Sequence, residues 1–115
     1  KESLKDLRVR LAKKQSPDVI VIDSVHYWFG LKVADVMKLK DDFPNKLFIF
    51  VSHEKRGLPD GVVAEKIRYD SEIKMRVEGY KVFVTTRYEV AERGEGGADF
   101  VIWEQGANEY WIDKL

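Results

Sequence analysis

The first half of the chain alternates between continuous apolar runs and a segment with helical spacing. The apolar runs lie in residues 18–23 and 46–54, and runs of this kind are typical of strands that are covered on both faces. Between them, residues 30–43 place their leucine, valine and methionine residues at helical spacing, and Pro44 with Asn45 interrupts the pattern. A strand, a helix and a second strand in this order predict a βαβ unit, with parallel strands and a right-handed crossover.

The segment before the first strand predicts a helix of its own. Residues 3–14 place Leu4, Leu7 and Leu11 at helical spacing with basic residues between them. Ser3 is suited to cap the start of the helix, and Pro17 ends it.

The pattern of polar and apolar residues changes after the second apolar run. Residues 53–61 are typical of a loop, and residues 62–70 of a short helix. Residues 71–78 alternate apolar with charged side chains, which predicts a strand with one face in water. Residues 80–88 predict a buried strand.

The last part of the chain predicts a loop and a hairpin. Residues 89–99 are polar and rich in glycine, as in a loop. The segments 100–105 and 109–113 then predict two strands that turn around Gly106, Ala107 and Asn108. The expected fold class is therefore α/β, with a parallel βαβ unit followed by an antiparallel β-meander.

The amino-acid composition limits the classes of function that are possible. The 115 residues are enough for a single domain, and 44% of them are hydrophobic, which supports a real core. Twenty basic and 20 acidic residues cancel to a net charge of zero, which argues against nucleic-acid binding through a basic field over the whole domain but leaves room for a local patch. The absence of cysteine excludes disulfides and thiolate metal sites. With no apolar run of about 18 residues and no signal peptide, we expect a cytoplasmic protein without membrane partners.

Polar side chains stand where each apolar run ends. Asp23 and Ser24 follow the first run, and Ser52 and His53 lie at the end of the second. Because open α/β sheets bind ligands at the carboxyl ends of their strands, these residues are candidates for a Mg²⁺–nucleotide site. A carboxylate at this place suits a hydrated Mg²⁺, and a polar neighbour can sense the γ-phosphate or orient water. The alternative is that Asp23 only caps the segment that follows.

The order of the motifs resembles a known family. The segment "DVIVIDSV" looks like the Walker B strand of the RecA-like P-loop ATPases, and "FIFVSHEKRGLPDGVVAEKIRYDSEIKMRVEGYKVFVTTRYE" resembles the matching stretch of the RadA and DnaB-type group. The resemblance covers roughly residues 16–105. The residues that carry it after the Walker B strand are Ser52-His53, Lys55, Gly57, Gly61, Ala64-Glu65, Asp70, Glu78-Gly79 and Thr85-Thr86-Arg87.

The resemblance implies roles for individual residues. Asp23 would be the Walker B aspartate, which coordinates Mg²⁺ through water, and His53 would be the sensor-like residue on the adjacent strand. Arg87 would be the arginine finger that reaches the nucleotide of a neighbouring subunit. Ser24 and Ser52 would lie beside the nucleotide. The implied cofactors are ATP and Mg²⁺, and the implied partners are further copies of the chain and DNA.

Two departures from the family bear on activity. First, Thr85 stands where the family has lysine, which puts in doubt whether this strand contacts the nucleotide of a neighbouring subunit. Second, no GxxxxGK[ST] phosphate-binding loop occurs in the 115 residues. The family's catalytic glutamate precedes the Walker B strand. We therefore expect residues 1–115 to be the C-terminal two-thirds of a RecA-like core, either an excised piece or a natural truncation, and to be inactive alone.

Two other classes of function stay open. Pro59-Asp60, Glu72 and Lys74 fit the loose PD…(D/E)xK pattern of metal-dependent nucleases, in which carboxylates hold Mg²⁺ and a lysine stabilises the attacking hydroxide. This short pattern also arises by chance, and Asp60 lies in a glycine-flanked loop instead of a strand.

The third class is an interaction module without enzymatic activity. The chain is rich in large aromatic residues, and those that could form an exposed interface are Tyr27, Trp28, Trp103, Tyr110 and Trp111. A partial α/β domain would also expose a sheet edge that needs a partner. The alternative is that these aromatic residues are ordinary core and strand-face residues.

Overall fold

The computed structural model describes residues 2–25, 32–56, 58–86 and 99–114. The chain divides into two compact units, residues 1–70 and residues 71–115. The elements of the first unit are α1 (Leu4–Leu11), β1 (Val19–Asp23), α2 (Val33–Asp42), β2 (Leu47–Val51), β3 (Glu54–Lys55), β4 (Leu58–Pro59) and α3 (Val62–Asp70). Those of the second are β5 (Ile73–Glu78), β6 (Lys81–Thr86), β7 (Asp99–Val101) and α4 (Glu104–Ile112).

The first unit is organised around a parallel pair of strands. β1 and β2 pair in parallel, with a register that runs from Val19 opposite Leu47 to Asp23 opposite Val51. Because α2 lies between them in the chain, β1, α2 and β2 form the βαβ unit that the sequence predicts. The helices predicted in residues 3–14, 30–43 and 62–70 are also present, as α1, α2 and α3.

The core of the first unit lies on one side of this sheet. α1, α2 and α3 contribute apolar side chains that pack with Ile20 and Ile22 of β1. Leu39 and Val36 of α2 are fully buried. The buried residues of this core are Leu7, Leu11, Ile20, Ile22, Val25, Val36, Leu39, Ala64 and Ile67.

The expectation that both apolar strands are covered on both faces is wrong for the described residues. Alternate side chains of a strand point to opposite faces, and the core uses only the face that carries Ile20 and Ile22. On the other face, Val21 is 59% exposed and Ile49 is 43% exposed. The apolar run shows that both faces of the strands are hydrophobic. It does not show whether residues 1–115 contain a second layer that covers the other face.

The connections of the first unit are closed by polar contacts. Ser3 caps α1, because its hydroxyl oxygen accepts from the backbone N–H of Asp6 at 3.1 Å. The Lys46 ammonium donates to Ser16 Oγ at 2.8 Å and to the carbonyl of Pro17 at 2.7 Å, which joins the two segments that lead into β1 and β2. The segment 53–61, predicted as a loop, contains the short antiparallel pair β3–β4.

The second unit contains the predicted meander. β6 pairs with β5 on one side and with β7 on the other, in both cases antiparallel. Gly79 and Tyr80 form the two-residue connection between β5 and β6, with positive φ angles of 55° and 62°. A type I′ turn requires positive φ at both of its central residues, and its twist matches that of the strands it joins.

The hairpin predicted around Gly106, Ala107 and Asn108 is wrong. Residues 104–112 form α4, and only 99–101 of this region form a strand. Ala107, Tyr110 and Trp111 have helical spacing, and Gly106 allows the helix to lie against Trp103, since a Cβ on Gly106 would be 2.2 Å from the Trp103 ring. The glycine was interpreted as a turn signal, whereas it serves close packing of a helix.

The side of β5 that faces water is the apolar one, although an alternating strand usually turns its charged side to water. Ile73, Met75 and Val77 are between 56% and 67% exposed. The charged side chains that alternate with them, Arg76 and Glu78 among others, are half-buried. Tyr110 and Trp111 of α4 pack on that charged side of the sheet, so the polar face is the one that the helix covers.

Candidate functional site

The carboxyl ends of β1 and β2 bring three of the predicted site residues to one rim. Asp23 is the last residue of β1 and lies opposite Val51, the last residue of β2. Ser52 and His53 follow directly. Paired strands lie ~4.8 Å apart and each residue advances the chain ~3.3 Å, so the backbones of Asp23 and His53 are within roughly 10 Å. One hydrated ion with its bound phosphate can span that separation.

Asp23 is a solvent-exposed carboxylate. Within the described ranges, its side chain makes no hydrogen bond and no ion pair. Nothing described therefore neutralises this negative charge, and the carboxylate is open to a ligand from solvent. Ser24, which follows through a cis peptide bond, is only 3% exposed, so its side chain lies below the surface of the rim.

The second strand end is held by backbone contacts. Ser52 is half-buried, and its hydroxyl donates to the carbonyl of His53 at 3.0 Å. The same carbonyl accepts from the N–H of Asp60 at 2.9 Å. These contacts hold the backbone of His53 against the β3–β4 connection, while its imidazole stays exposed. The loop thus fixes the backbone of His53 just beyond the end of β2, the strand that pairs with β1.

The rim suits a weakly held Mg²⁺ better than a metal bound by protein side chains alone. Among the residues that the structure describes, no group of three or more His, Asp or Glu side chains could hold a metal ion. Mg²⁺ commonly keeps several waters and takes one or two carboxylates together with phosphate oxygens of its substrate. Asp23 can be one such carboxylate, but the 115 residues contain no GxxxxGK[ST] motif.

Of the other residues singled out from the sequence, some lie outside the described ranges and some lie in the second unit. Arg87, Tyr27 and Trp28 are outside the described residues, so the arginine-finger role stays a prediction. Trp111 packs edge-on against Phe83 at a centroid distance of 5.7 Å, which is a contact between α4 and β6. Trp103 is 51% exposed and contacts the ring of Tyr80.

The residues of the nuclease pattern are distributed over both units. Asp60 lies in the bend between β4 and α3 of the first unit, as expected for a loop residue. Glu72 and Lys74 belong to the second unit, before and within β5. Since the described residues include no group of three metal-ligating side chains, the structure offers no support for a metal site at these positions.

Sequence reasoning missed one ionic cluster, on the helix-covered side of the second unit. The Tyr110 hydroxyl donates to Glu78 Oε2 at 2.8 Å, and Arg76 donates to Glu78 Oε1 at 2.5 Å. The hydrogen bond from Tyr110, helped by Arg76, lowers the pKa of Glu78 against the opposing effect of burial. Arg76 also lies over the ring of Phe83, at 4.4 Å.

This cluster joins α4 to β5, because Tyr110 and Arg76 each donate a hydrogen bond to one oxygen of Glu78. Its signal in the sequence is weak. Arg76 and Glu78 share a strand face, but only the helix that supplies Tyr110 gives the pair its third member.

Comparisons with known proteins identify no family and no relative for this chain. No protein-family model matches the chain, and neither a curated protein nor a solved structure matches it. Within the part of the chain that the structure describes, every helix is too short or too polar to span a bilayer.

Proposed function

We propose that residues 1–115 are part of a RecA-like ATPase core, and that the parent protein hydrolyses ATP with the help of Mg²⁺. Asp23 is the residue at which this proposal can be tested most directly. The observation that carries the proposal is the position of this carboxylate. It is exposed, it makes no polar contact to another described residue, and it ends a parallel strand beside a second strand that leads into Ser52 and His53.

The geometry supports a division of roles at the rim. Asp23 binds a hydrated Mg²⁺ by accepting hydrogen bonds from its waters or by direct ligation. When bound, Mg²⁺ neutralises charge that develops on the phosphate oxygens during transfer. In this proposal His53, whose backbone carbonyl accepts from Asp60 at the β3–β4 connection, contacts a phosphate oxygen or an attacking water. Work on DNA, and the assembly of several subunits for which Arg87 would be used, belong to the same proposal.

Metal binding can be tested on the chain itself. Mn²⁺, which prefers the same oxygen ligands and broadens the NMR signals of nearby nuclei, is titrated into ¹⁵N-labelled protein. We expect selective broadening of amides at 22–24 and 51–54. Asp23→Asn should remove it.

Asp18→Asn is the matched control, because Asp18 is an exposed carboxylate immediately before β1, at the opposite end of the same strand. It should leave the broadening at the rim unchanged. Uniform broadening over all exposed carboxylates, or broadening that survives Asp23→Asn, would exclude a metal site at this rim.

Hydrolysis requires more than these residues. Stabilisation of the transferring phosphoryl group depends on the backbone amides and lysine of a phosphate-binding loop, so residues 1–115 alone should show no ATP turnover above background. In a longer chain that places a GxxxxGK[ST] segment ahead of Lys1, we expect turnover, and Asp23→Ala should reduce it by about 100-fold or more.

The far-UV circular dichroism of the Asp23→Ala protein should match that of the wild type, since an exposed side chain contributes little to the core. Turnover by residues 1–115 alone contradicts the proposal, and so does normal hydrolysis by the Asp23→Ala form of the longer chain.

A further inference from the structure

A cavity of the second unit lies along helix α4. It has a volume of about 510 Å³ and is open to solvent. One aromatic ring, two carboxylates and two amides border it, and none of these described lining residues is basic. They are Trp103, Glu104, Gln105, Asn108 and Glu109. Ligand sites commonly combine an aromatic surface with a few polar groups in a space of this size.

The indole of Trp103 is held in place without being covered. Gly106 lies against it, since a Cβ on Gly106 would be 2.2 Å from Trp103 Cε3. The ring of Tyr80 packs edge-on against the indole, at a centroid distance of 5.0 Å and an interplanar angle of 89°. Trp103 is nevertheless 51% exposed. A ring that is fixed by its neighbours and still half exposed is a preformed stacking surface, which lowers the entropic cost of binding.

The polar residues of the cavity follow one side of α4. Glu104 and Asn108 are four positions apart, as are Gln105 and Glu109, so each pair is adjacent on the helix surface. The Gln105 amide nitrogen donates to Glu109 Oε1 at 3.3 Å. No basic side chain of the described residues forms an ion pair with Glu104 or Glu109. A helix N-terminus carries about half a positive charge, which two carboxylates more than offset, so the cavity attracts cations.

Another ring of the second unit shows which cation suits a ring beside a carboxylate. The guanidinium of Arg76 lies over the ring of Phe83 at 4.4 Å and also donates to Glu78. A ring and a carboxylate thus hold one arginine together. Trp103 has the same two kinds of neighbour group in its cavity, whereas no Lys or Arg of the described residues lies over its ring.

We infer that the cavity beside Trp103 binds an arginine side chain from a basic segment of a partner protein. The guanidinium stacks on the indole, the aromatic ring that attracts cations most strongly, and donates hydrogen bonds to Glu104 and Glu109. Arginine suits the cavity better than lysine, because its planar fork can stack and donate to several acceptors at once. The carboxylates repel phosphate groups. The site belongs to the second unit and does not depend on Asp23 or on ATP hydrolysis.

The test titrates a short blocked peptide, with glycines around a single arginine, into the ¹⁵N-labelled chain. The comparison peptide carries citrulline, which keeps the shape of arginine and removes its charge. NMR follows the indole N–H of Trp103 and the amides of residues 104–109. We expect saturable shifts with a Kd on the order of 1 mM for one side chain at an open site. The citrulline peptide should bind at least about fivefold more weakly, since cation–π attraction and charge-assisted hydrogen bonds need the positive charge.

Variants of the chain separate the contributions of the carboxylates and the ring. Glu109→Gln keeps the side-chain shape and should weaken binding of the arginine peptide about threefold, and Glu104→Gln combined with it about tenfold. Trp103→Leu, which removes the aromatic ring, should weaken binding at least about threefold, and circular dichroism checks that α4 is kept. Asp113→Asn is the matched control for charge, because Asp113 is exposed at the end of α4 and outside the cavity lining. It should leave the affinity unchanged.

The outcomes distinguish an arginine site from other ligands. A preference for arginine over citrulline that only the cavity variants reduce supports the inference. Equal binding of the two peptides would overturn it, because the cavity would then not recognise charge. An equal loss in Asp113→Asn and Glu109→Gln would also overturn it, since the attraction would come from the acidity of α4 as a whole. Tighter binding of AMP than of the arginine peptide would assign the cavity to a nucleobase instead.

Discussion

Replacement of Gly79 by alanine tests the packing of α4 on the β5–β6 turn. Gly79 has a φ of +55°, and a Cβ on it would lie 2.1 Å from Tyr110 Cδ1 and 2.7 Å from Trp111 Nε1. An alanine therefore has to displace the aromatic side chains that attach the helix to the sheet. Two hydrogen bonds are lost with them, from Tyr110 to Glu78 at 2.8 Å and from Trp111 to the carbonyl of Gly79 at 3.1 Å.

The expected cost follows from these contacts. A left-handed conformation costs an alanine ~1–2 kcal/mol, and the neutral hydrogen bond from Trp111 to the carbonyl of Gly79 contributes ~0.5–1.5 kcal/mol. Gly79→Ala should therefore lower the free energy of opening of the second unit by about 2 kcal/mol or more, since the displaced aromatic side chains also lose packing. That is a large share of the stability of a small domain.

Native-state hydrogen exchange measured by NMR is the suitable assay, because the amides of β5 and β6 report the second unit separately from the first. Gly61→Ala is the control for the backbone effect. Gly61 also has a positive φ, of 100°, but no atom lies within 4 Å of a Cβ placed there. The loss of stability caused by Gly61→Ala, measured from the exchange of the α3 amides, should therefore reflect backbone strain alone.

A Tyr110→Ala background completes the experiment. In that background the steric part of the Gly79→Ala effect should become smaller, because one of the two clashing side chains is gone. If Gly79→Ala costs no more than Gly61→Ala, the reasoning is refuted, and residues 104–112 do not pack on the turn as a helix.

The remaining predictions concern titration and the core. The folded state lowers the pKa of Glu78, so its stabilising effect is complete above the carboxyl's ordinary value of 4.5 and is lost as the pH falls through the lowered value. An NMR titration of the Glu78 carboxyl should show this, and Tyr110→Phe should move the pKa back upward; an unchanged value would contradict the assigned cause. Leu39→Ala, at a fully buried position, should cost about 2–5 kcal/mol in urea unfolding. In dilute solution Leu47→Ala, at 56% exposure, should cost less than about 1 kcal/mol, and equal costs would place the core on the wrong face of β1–β2.

Local sequence patterns were sufficient for the order and type of the main elements of the first unit, because each of these elements carries its own periodicity. The apolar runs of β1 and β2 and the helical spacing of α2 are each visible in a few residues, and a short crossover leaves parallel pairing as the outcome. The shared rim of Asp23 and His53 follows from the same argument, since parallel strands end at the same edge of a sheet. Their chemical roles remain predictions.

In the second unit, the sequence predicted the strands β5 and β6, but only the tertiary structure decided which face of the sheet is covered. An alternating strand indicates that its two faces differ, but not which one another element will cover. In β5 the helix α4 covers the charged side, because Tyr110 and Trp111 supply hydrogen bonds to Glu78 and to Gly79 that make burial of that side favourable. The helix was itself missed, since Gly106 is a turn signal in isolation and a packing residue only beside Trp103. Sequence determines the period of each element, whereas the partner of each face depends on contacts between residues distant in the chain.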